Sequence, residues 1–232
     1  EERVISGYNA DPFVIDTFDV QTTVKGNGVV SISDGIATLQ RSPQIQIMAS
    51  NNGLGNTEMT GYGRYLSGGT ERGYSGFNMV IQLTHPSDDW RCGRPSYRAQ
   101  VSLSGIASFQ KEYRPKNEYG TLIRSGRIRT AIPAFDGVLP RDEWIGMKFI
   151  VRNVNQDQVL ELYLDLTGGE DGTNQNWTLI HSYSDSAGSW LANDALPQDN
   201  CSASLQDGDV FLGKSIYGEL NNVGDIETQV QW

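Results

Sequence analysis

The sequence predicts an all-β protein, an antiparallel β-sandwich of the jelly-roll kind, on three observations. Along its 232 residues, about a dozen short runs alternate side chains with the period-two pattern of a strand. Turn signals separate these runs, and glycine is plentiful, 26 against 8 prolines, as many tight turns require. No segment carries a helix-length amphipathic pattern, and no repeat of about 40–50 residues marks a propeller. No Pro- or Ser-rich linker divides the chain, so residues 1–232 are expected to form one domain, with 1–12 as an extended N-terminal segment.

Phe13–Phe18 is the first β-rich run, followed by Gly26–Gly28. Val29–Ile32 and Ile36–Leu39 flank Asp34-Gly35, a pair suited to the positive φ of a hairpin turn. Gln44–Met48 follows, and Asn51-Asn52-Gly53 marks a loop. In Glu58–Leu66, Met59, Gly61, Gly63 and Tyr65 share one face, while Thr60, Tyr62 and Arg64 share the other. Phe77–Leu83 reads as a buried strand, and the polar loop Thr84–Pro95 holds His85, Trp90 and Cys92. Gly146–Val154, a turn at Asn155–Gln158, Leu160–Leu166 and Trp177–Tyr183 form a meander, with Leu160, Leu162, Leu164 and Leu166 on one side. Val210–Leu212 and Asp225–Val230 complete the series.

The formal net charge of −10 disfavours nucleic acid as a partner, because phosphate binding needs a basic surface. No apolar run approaches the roughly 18 residues of a membrane-spanning helix. Cys92 and Cys201 stand far apart and outside any metal-type pair, which favours a long-range disulfide. Asn176-Trp177-Thr178 and Asn200-Cys201-Ser202 are N-glycosylation acceptor triplets. These features together favour a secreted or extracellular protein, with Glu1-Glu2-Arg3 as the N-terminus left after signal removal.

The segment Tyr97–Arg114 bears most directly on function. It reads as two strands joined at Gly105, with Arg98, Gln100 and Ser102 on one face and Tyr97, Ala99, Val101 and Leu103 on the other. If the turn is Gly105-Ile106 alone, Tyr113 faces Arg98 and Lys111 faces Gln100. A three-residue turn places Arg114 opposite Arg98 and Glu112 opposite Gln100, and sends Lys111 and Tyr113 to the other face. The second register is preferred because it leaves Ala99, Val101, Leu103, Ala107 and Phe109 as a clean apolar face.

That strand pair, the meander GMKFIVRNV…VLELYLDL…WTLIHSY and the closing strand GDIETQVQW cover about two-thirds of the chain. Together they resemble the concanavalin A-like lectin and glucanase architecture, and within it the jelly-roll polysaccharide lyases and secreted carbohydrate-binding proteins. The resemblance implies a polysaccharide partner held in a concave groove. It also implies a structural Ca²⁺ near the termini, for which Asp16, Asp19 and Asp225 supply oxygens, and no organic cofactor. The sequence departs from the enzymes of that architecture: Glu-x-Asp-x-x-Glu and Arg-x-Glu-x-Arg are absent, and Gln100 is followed two positions on by Ser102 where the lyases carry His.

β-Elimination of a uronic acid polymer needs a cation or amide to neutralise the carboxylate, a base for the C5 proton and an acid for the leaving oxygen. Arg98 and Gln100 suit the first role, Lys111 and Tyr113 the others. Tyr62, Arg64, Glu112 and Arg114 are candidates for lining the groove, with Trp90 and Trp190 as loop platforms for sugar rings. His85 and His181 are expected to be structural, and Trp144 to lie in the core. The expected activity is thus polysaccharide binding or lyase action. An extracellular structural or adhesive subunit that self-associates by adding its N-terminal strand to a neighbour is the alternative.

Overall fold

The computed structural model describes residues 3–6, 13–14, 21–48, 56–69, 75–83, 95–114, 123–167, 175–193, 210–211, 215–223 and 226–231. Among these are fifteen strands. In chain order they are β1 (Arg3–Ser6), β2 (Phe13–Val14), β3 (Gln21–Ser33), β4 (Ile36–Met48), β5 (Thr57–Gly68), β6 (Gly76–Leu83), β7 (Ser96–Ser102) and β8 (Ile106–Arg114). After them come β9 (Ile123–Arg124), β10 (Ile128–Ala131), β11 (Trp144–Val154), β12 (Asp157–Asp165), β13 (Trp177–Asp185), β14 (Ser215–Val223) and β15 (Ile226–Gln231). A 3-10 turn, Pro133–Phe135, is the one helical piece among the described residues.

All pairings are antiparallel, and the hydrogen-bonded path runs β10-β8-β7-β6-β14-β4-β15-β5-β11-β12-β13. The path folds over at β4, which the sequence splits into two short runs and the structure keeps as one strand. Its first half, Ala37–Arg41, pairs with β15, and its second half, Gln44–Met48, pairs with β14. The corner between them has a local cause. Arg41 takes φ 70°, a left-handed conformation, and Pro43 has no N–H to offer a ladder. On the adjoining β3, Gly28 faces this corner so closely that a Cβ would lie 2.6 Å from the Gln40 carbonyl oxygen. The β3–β4 ribbon therefore bends there and carries the chain from one layer of an antiparallel sandwich to the other.

The layers meet through alternate residues. Met79 and Ile81 of β6, Tyr97, Ala99 and Val101 of β7 and Phe109 of β8 point inward from the front layer. Met147, Phe149 and Val151 of β11 and Leu160, Leu162 and Leu164 of β12 answer from the back. Phe109 lies 5.8 Å from Phe149 and stacks on His181 at 4.6 Å and 5°. The expected fourth leucine of the meander, Leu166, falls just past the end of β12 and is exposed. Within the N-terminal segment, β1 pairs with β3 of its own chain.

The β7–β8 hairpin has neither of the two expected registers. Ser96 pairs with Glu112, Arg98 with Gln110 and Gln100 with Ser108. The turn is three residues, Leu103-Ser104-Gly105, centred two positions earlier than the expected three-residue turn, and Ser102 Oγ accepts the Ile106 N–H at 3.2 Å where it closes. Gly105, at φ 65°, then reverses the chain. The face assignment nevertheless matches the preferred register: even-numbered residues of both strands point outward and odd-numbered residues point to the core.

Candidate functional site

The outer face of the front layer is polar across several strands. Ser108 of β8, Gln100 of β7, Asn78 of β6, Asn221 of β14 and Gln44 of β4 stand side by side in one row of the ladder. Neighbouring strands lie about 4.8 Å apart, so this row sets a hydroxyl and four amides at regular steps across the sheet, with Ser108, Gln100, Asn78 and Asn221 buried and Gln44 half-buried. Asn78 Nδ2 donates to Asn221 Oδ1 at 2.7 Å, and Asn221 donates onward to Glu219. At the β10 end the row opens into a groove of about 330 Å³ lined by Gln100, Ser102, Ser104, Ser108, Arg127 and Arg129, among others. Arg127 donates to the Gln100 side-chain oxygen and so fixes which end of that amide faces the groove.

Beside the groove sits an ion cluster. Arg98 Nη2 lies 2.9 Å and Arg124 Nε 2.7 Å from the same oxygen of Glu112, and Ser96 Oγ donates to the other at 3.0 Å. Burial alone would raise the Glu112 pKa. The two guanidinium groups and the Ser96 hydroxyl outweigh burial and hold the carboxyl below its ordinary value. Glu112 therefore stays charged and is shared by two cations. Among the described side chains, Arg127 and Arg129 join Arg98 and Arg124 on this face against Glu112 and Glu219, in a chain whose net charge is −10.

The expected site residues are divided among three places. Arg98, Gln100 and Glu112 share the groove face; Arg114 belongs to it by register, opposite Ile123, though its side chain lies outside the described residues. Lys111 and Tyr113 are on the opposite face of β8, fully buried in the core. The four residues expected to act together on a substrate thus do not converge. Lys111 Nζ instead lies 2.8 Å from Asp185, and Tyr113 Oη donates to the Trp190 carbonyl at 2.5 Å. Trp190 is no exposed platform: it is 3% exposed, packs face to face with Tyr97 and donates its indole N–H to the Gly126 carbonyl at 2.8 Å.

Tyr62 and Arg64 point out from the back layer, on the far side of the sandwich from Arg98. Tyr62 donates to Asp165 at 3.0 Å, and Arg64 binds Gln229 and lies over the Trp144 ring at 4.9 Å. There Tyr62 and Trp177 close over Gly146, where a Cβ would come within 2.9 Å of both rings. Asn176 is exposed at the start of β13, as a glycosylation acceptor must be. Asp16, Asp19, Asp225, Cys92, Cys201, Asn200, Trp90 and His85 lie outside the described residues. Among the described residues, no group of three His, Cys, Asp or Glu side chains could hold a metal ion. His181 stacks on Phe109, its Nε2 lies 3.2 Å from the Ile128 carbonyl oxygen, and burial lowers its pKa.

Sequence reading missed Arg124, Arg127 and Arg129, and with them Asn78, Glu219 and Asn221. The first three left a signal: IRSGRIR places three arginines within six residues of an acidic chain. The others lie on β6 and on β14, a strand not anticipated at all.

No family model matches the chain, and no curated protein matches it in sequence. Among solved structures it is similar to the exoplasmic/lumenal domain of VIP36 in its Ca²⁺/Man-bound form. The identity is 12%, the match covers 90% of this chain and 82% of that one, and the TM-score is 0.45. At that distance nothing of the other protein's ligands or residues transfers to this one.

Proposed function

We propose that this protein binds a polysaccharide across the outer face of its front layer, and that the polymer is anionic, of the uronate type. The observation that supports this reading is the groove at Gln100, Arg127 and Arg129 beside the Arg98–Glu112–Arg124 cluster. Planar guanidinium groups take carboxylates in two parallel hydrogen bonds. In the groove, the Gln100 amide and the hydroxyls of Ser102, Ser104 and Ser108 stand beside the arginines as partners for sugar hydroxyls. The side chains described on this face supply cation and amide for a carboxylate, and no Lys, His or Tyr to move a proton, so binding is favoured over elimination. An extracellular setting, a Cys92–Cys201 disulfide and a structural Ca²⁺ at Asp16, Asp19 and Asp225 complete the proposal. If Ca²⁺ is held there, EDTA lowers the unfolding temperature and added Ca²⁺ restores it.

Affinity electrophoresis through gels containing a uronic acid polymer or a neutral one tests the reading. We expect retardation by the acidic polymer that is lost in Arg127→Ala and Arg129→Ala. Growing ultraviolet absorbance of the polymer solution would instead reveal elimination and an enzyme. No retardation by any polymer would overturn the proposal and favour the structural subunit.

A further inference from the structure

On the inner face of β8, directly behind the groove, an amine and a carboxyl meet in isolation from water. Lys111 Nζ is 2.8 Å from Asp185 Oδ2, and neither side chain has any exposed surface. Their surroundings are aromatic: Nζ lies 4.9 Å from the Tyr113 ring and 4.8 Å from the Phe211 ring, and Tyr97 packs against both Phe211 and Trp190. Tyr97 Oη donates to the same Asp185 Oδ2 at 2.6 Å. The Phe211 N–H donates to Tyr97 Oη at 3.1 Å and so turns the hydroxyl proton toward the carboxyl.

We propose that Lys111 and Asp185 condense to an intramolecular isopeptide bond that joins β8 of the front layer to the end of β13 in the back layer. A proton first passes from Nζ to Oδ2 along their hydrogen bond, which converts the ion pair to a neutral amine and a carboxylic acid. The Nζ lone pair then attacks Cγ and forms the N–C bond. The Cγ–Oδ2 bond breaks, Tyr97 gives its proton to the departing oxygen, and Tyr97 recovers one from nitrogen. The products are an amide and one water, with no oxidant, reductant or cofactor.

Burial supplies the driving force. In water the hydrated ion pair outlasts the amide, but a pair denied hydration is costly, which favours the uncharged product. Burial does raise the Asp185 carboxyl, against the opposing effects of Lys111 and Tyr97. Tyr97 is pushed well above its ordinary value by burial and by Asp185, so it keeps the proton that the step requires. The bond would replace two buried charges by one buried amide, and would fasten the layers at the edge of the sandwich where β13 meets β8.

The test is the intact mass of the protein made in a bacterial cytoplasm, reduced and denatured after prolonged incubation in the folded state. We expect a mass one water below that of the sequence, and a branched proteolytic peptide joining the Lys111 and Asp185 segments. Lys111→Met and Asp185→Ala should show the full mass of their sequences, and Tyr97→Phe should accumulate the bond more slowly. The full sequence mass in the wild-type protein overturns the proposal, whether or not the variants fold. A loss of water mapped to any other pair of residues overturns it as well.

Discussion

Glu112 receives Arg98, Arg124 and Ser96 in a space that is almost closed to solvent, so its neighbours have come to depend on its charge. Removing that charge leaves two guanidinium groups facing each other. Glu112→Gln is expected to lower stability by about 3 kcal/mol at neutral pH, the scale on which a buried ion pair fails when one partner is lost. A shift of the urea midpoint with an unchanged slope would measure it. The same residue sets an acid limit. Its carboxyl is held below its ordinary value in the folded state. Its contribution is therefore present above the unfolded value, about pH 4.3, and is lost as pH falls through the folded value. Between roughly pH 5 and pH 3 the wild-type midpoint should fall more steeply than that of Glu112→Gln; parallel curves would sink the idea. Asp185 works in the opposite sense. Its folded value is raised, so its contribution is present below the unfolded value and lost as pH rises through the folded one. An isopeptide bond would remove that loss altogether.

The β7–β8 hairpin shows which features of an element can be read from composition. Parity was legible, because Ala99, Val101, Ala107 and Phe109 make sense only against a core, and the core fixes which face they take. Register was not, because periodicity does not say which three residues turn: the structure uses Leu103-Ser104-Gly105, closed where the Ser102 hydroxyl takes the Ile106 N–H. Nothing in the periodicity of a strand announces a side chain that acts as backbone. Strand β14 escaped for a related reason: Glu219, Asn221 and Asn222 are polar residues of low strand propensity, and Gly218 interrupts the pattern. Only the pairing with β6 and β4 on its two sides makes them a strand. Two substitutions separate the contributions within the hairpin. Phe109→Ala removes the ring that touches both Phe149 and His181 across the layers, and should cost about 3–5 kcal/mol in equilibrium urea unfolding. Ser102→Ala removes only the turn contact and should cost about 1 kcal/mol. Equal losses would mean that the hairpin is held by its turn and not by the layer beneath it.

On the scale of the whole molecule, the sandwich has two outer faces, and the sequence pattern treats them alike. Tyr62 and Arg64 on β5 and Arg98 and Gln100 on β7 each stand on one face of an alternating strand, and reading along the chain assigns both pairs to one groove. The path through β4 separates them, since β5 follows β15 in the back layer while β7 follows β6 in the front. Among the described residues, the front face keeps arginines beside a row of amides. The back face spends Arg64 on Gln229 and Trp144, and Lys148 lies over the Trp177 ring at 4.6 Å. This contrast supplies the sharpest test of the binding proposal. Loss of one charged hydrogen bond to a carboxylate is worth about 1.5–3 kcal/mol, so Arg127→Ala should weaken binding of an acidic oligosaccharide by roughly ten- to a hundred-fold in calorimetric titration. Arg64→Ala, on the far side, should leave that affinity unchanged. Raising the ionic strength from about 0.1 M toward 1 M, where the screening length falls from about 10 Å to about 3 Å, should weaken binding further. The chain's net charge of −10 opposes an anionic polymer, and the groove's arginines are what the proposal sets against it. Equal losses in Arg64→Ala and Arg127→Ala, or an affinity indifferent to salt, would place the ligand elsewhere on the protein.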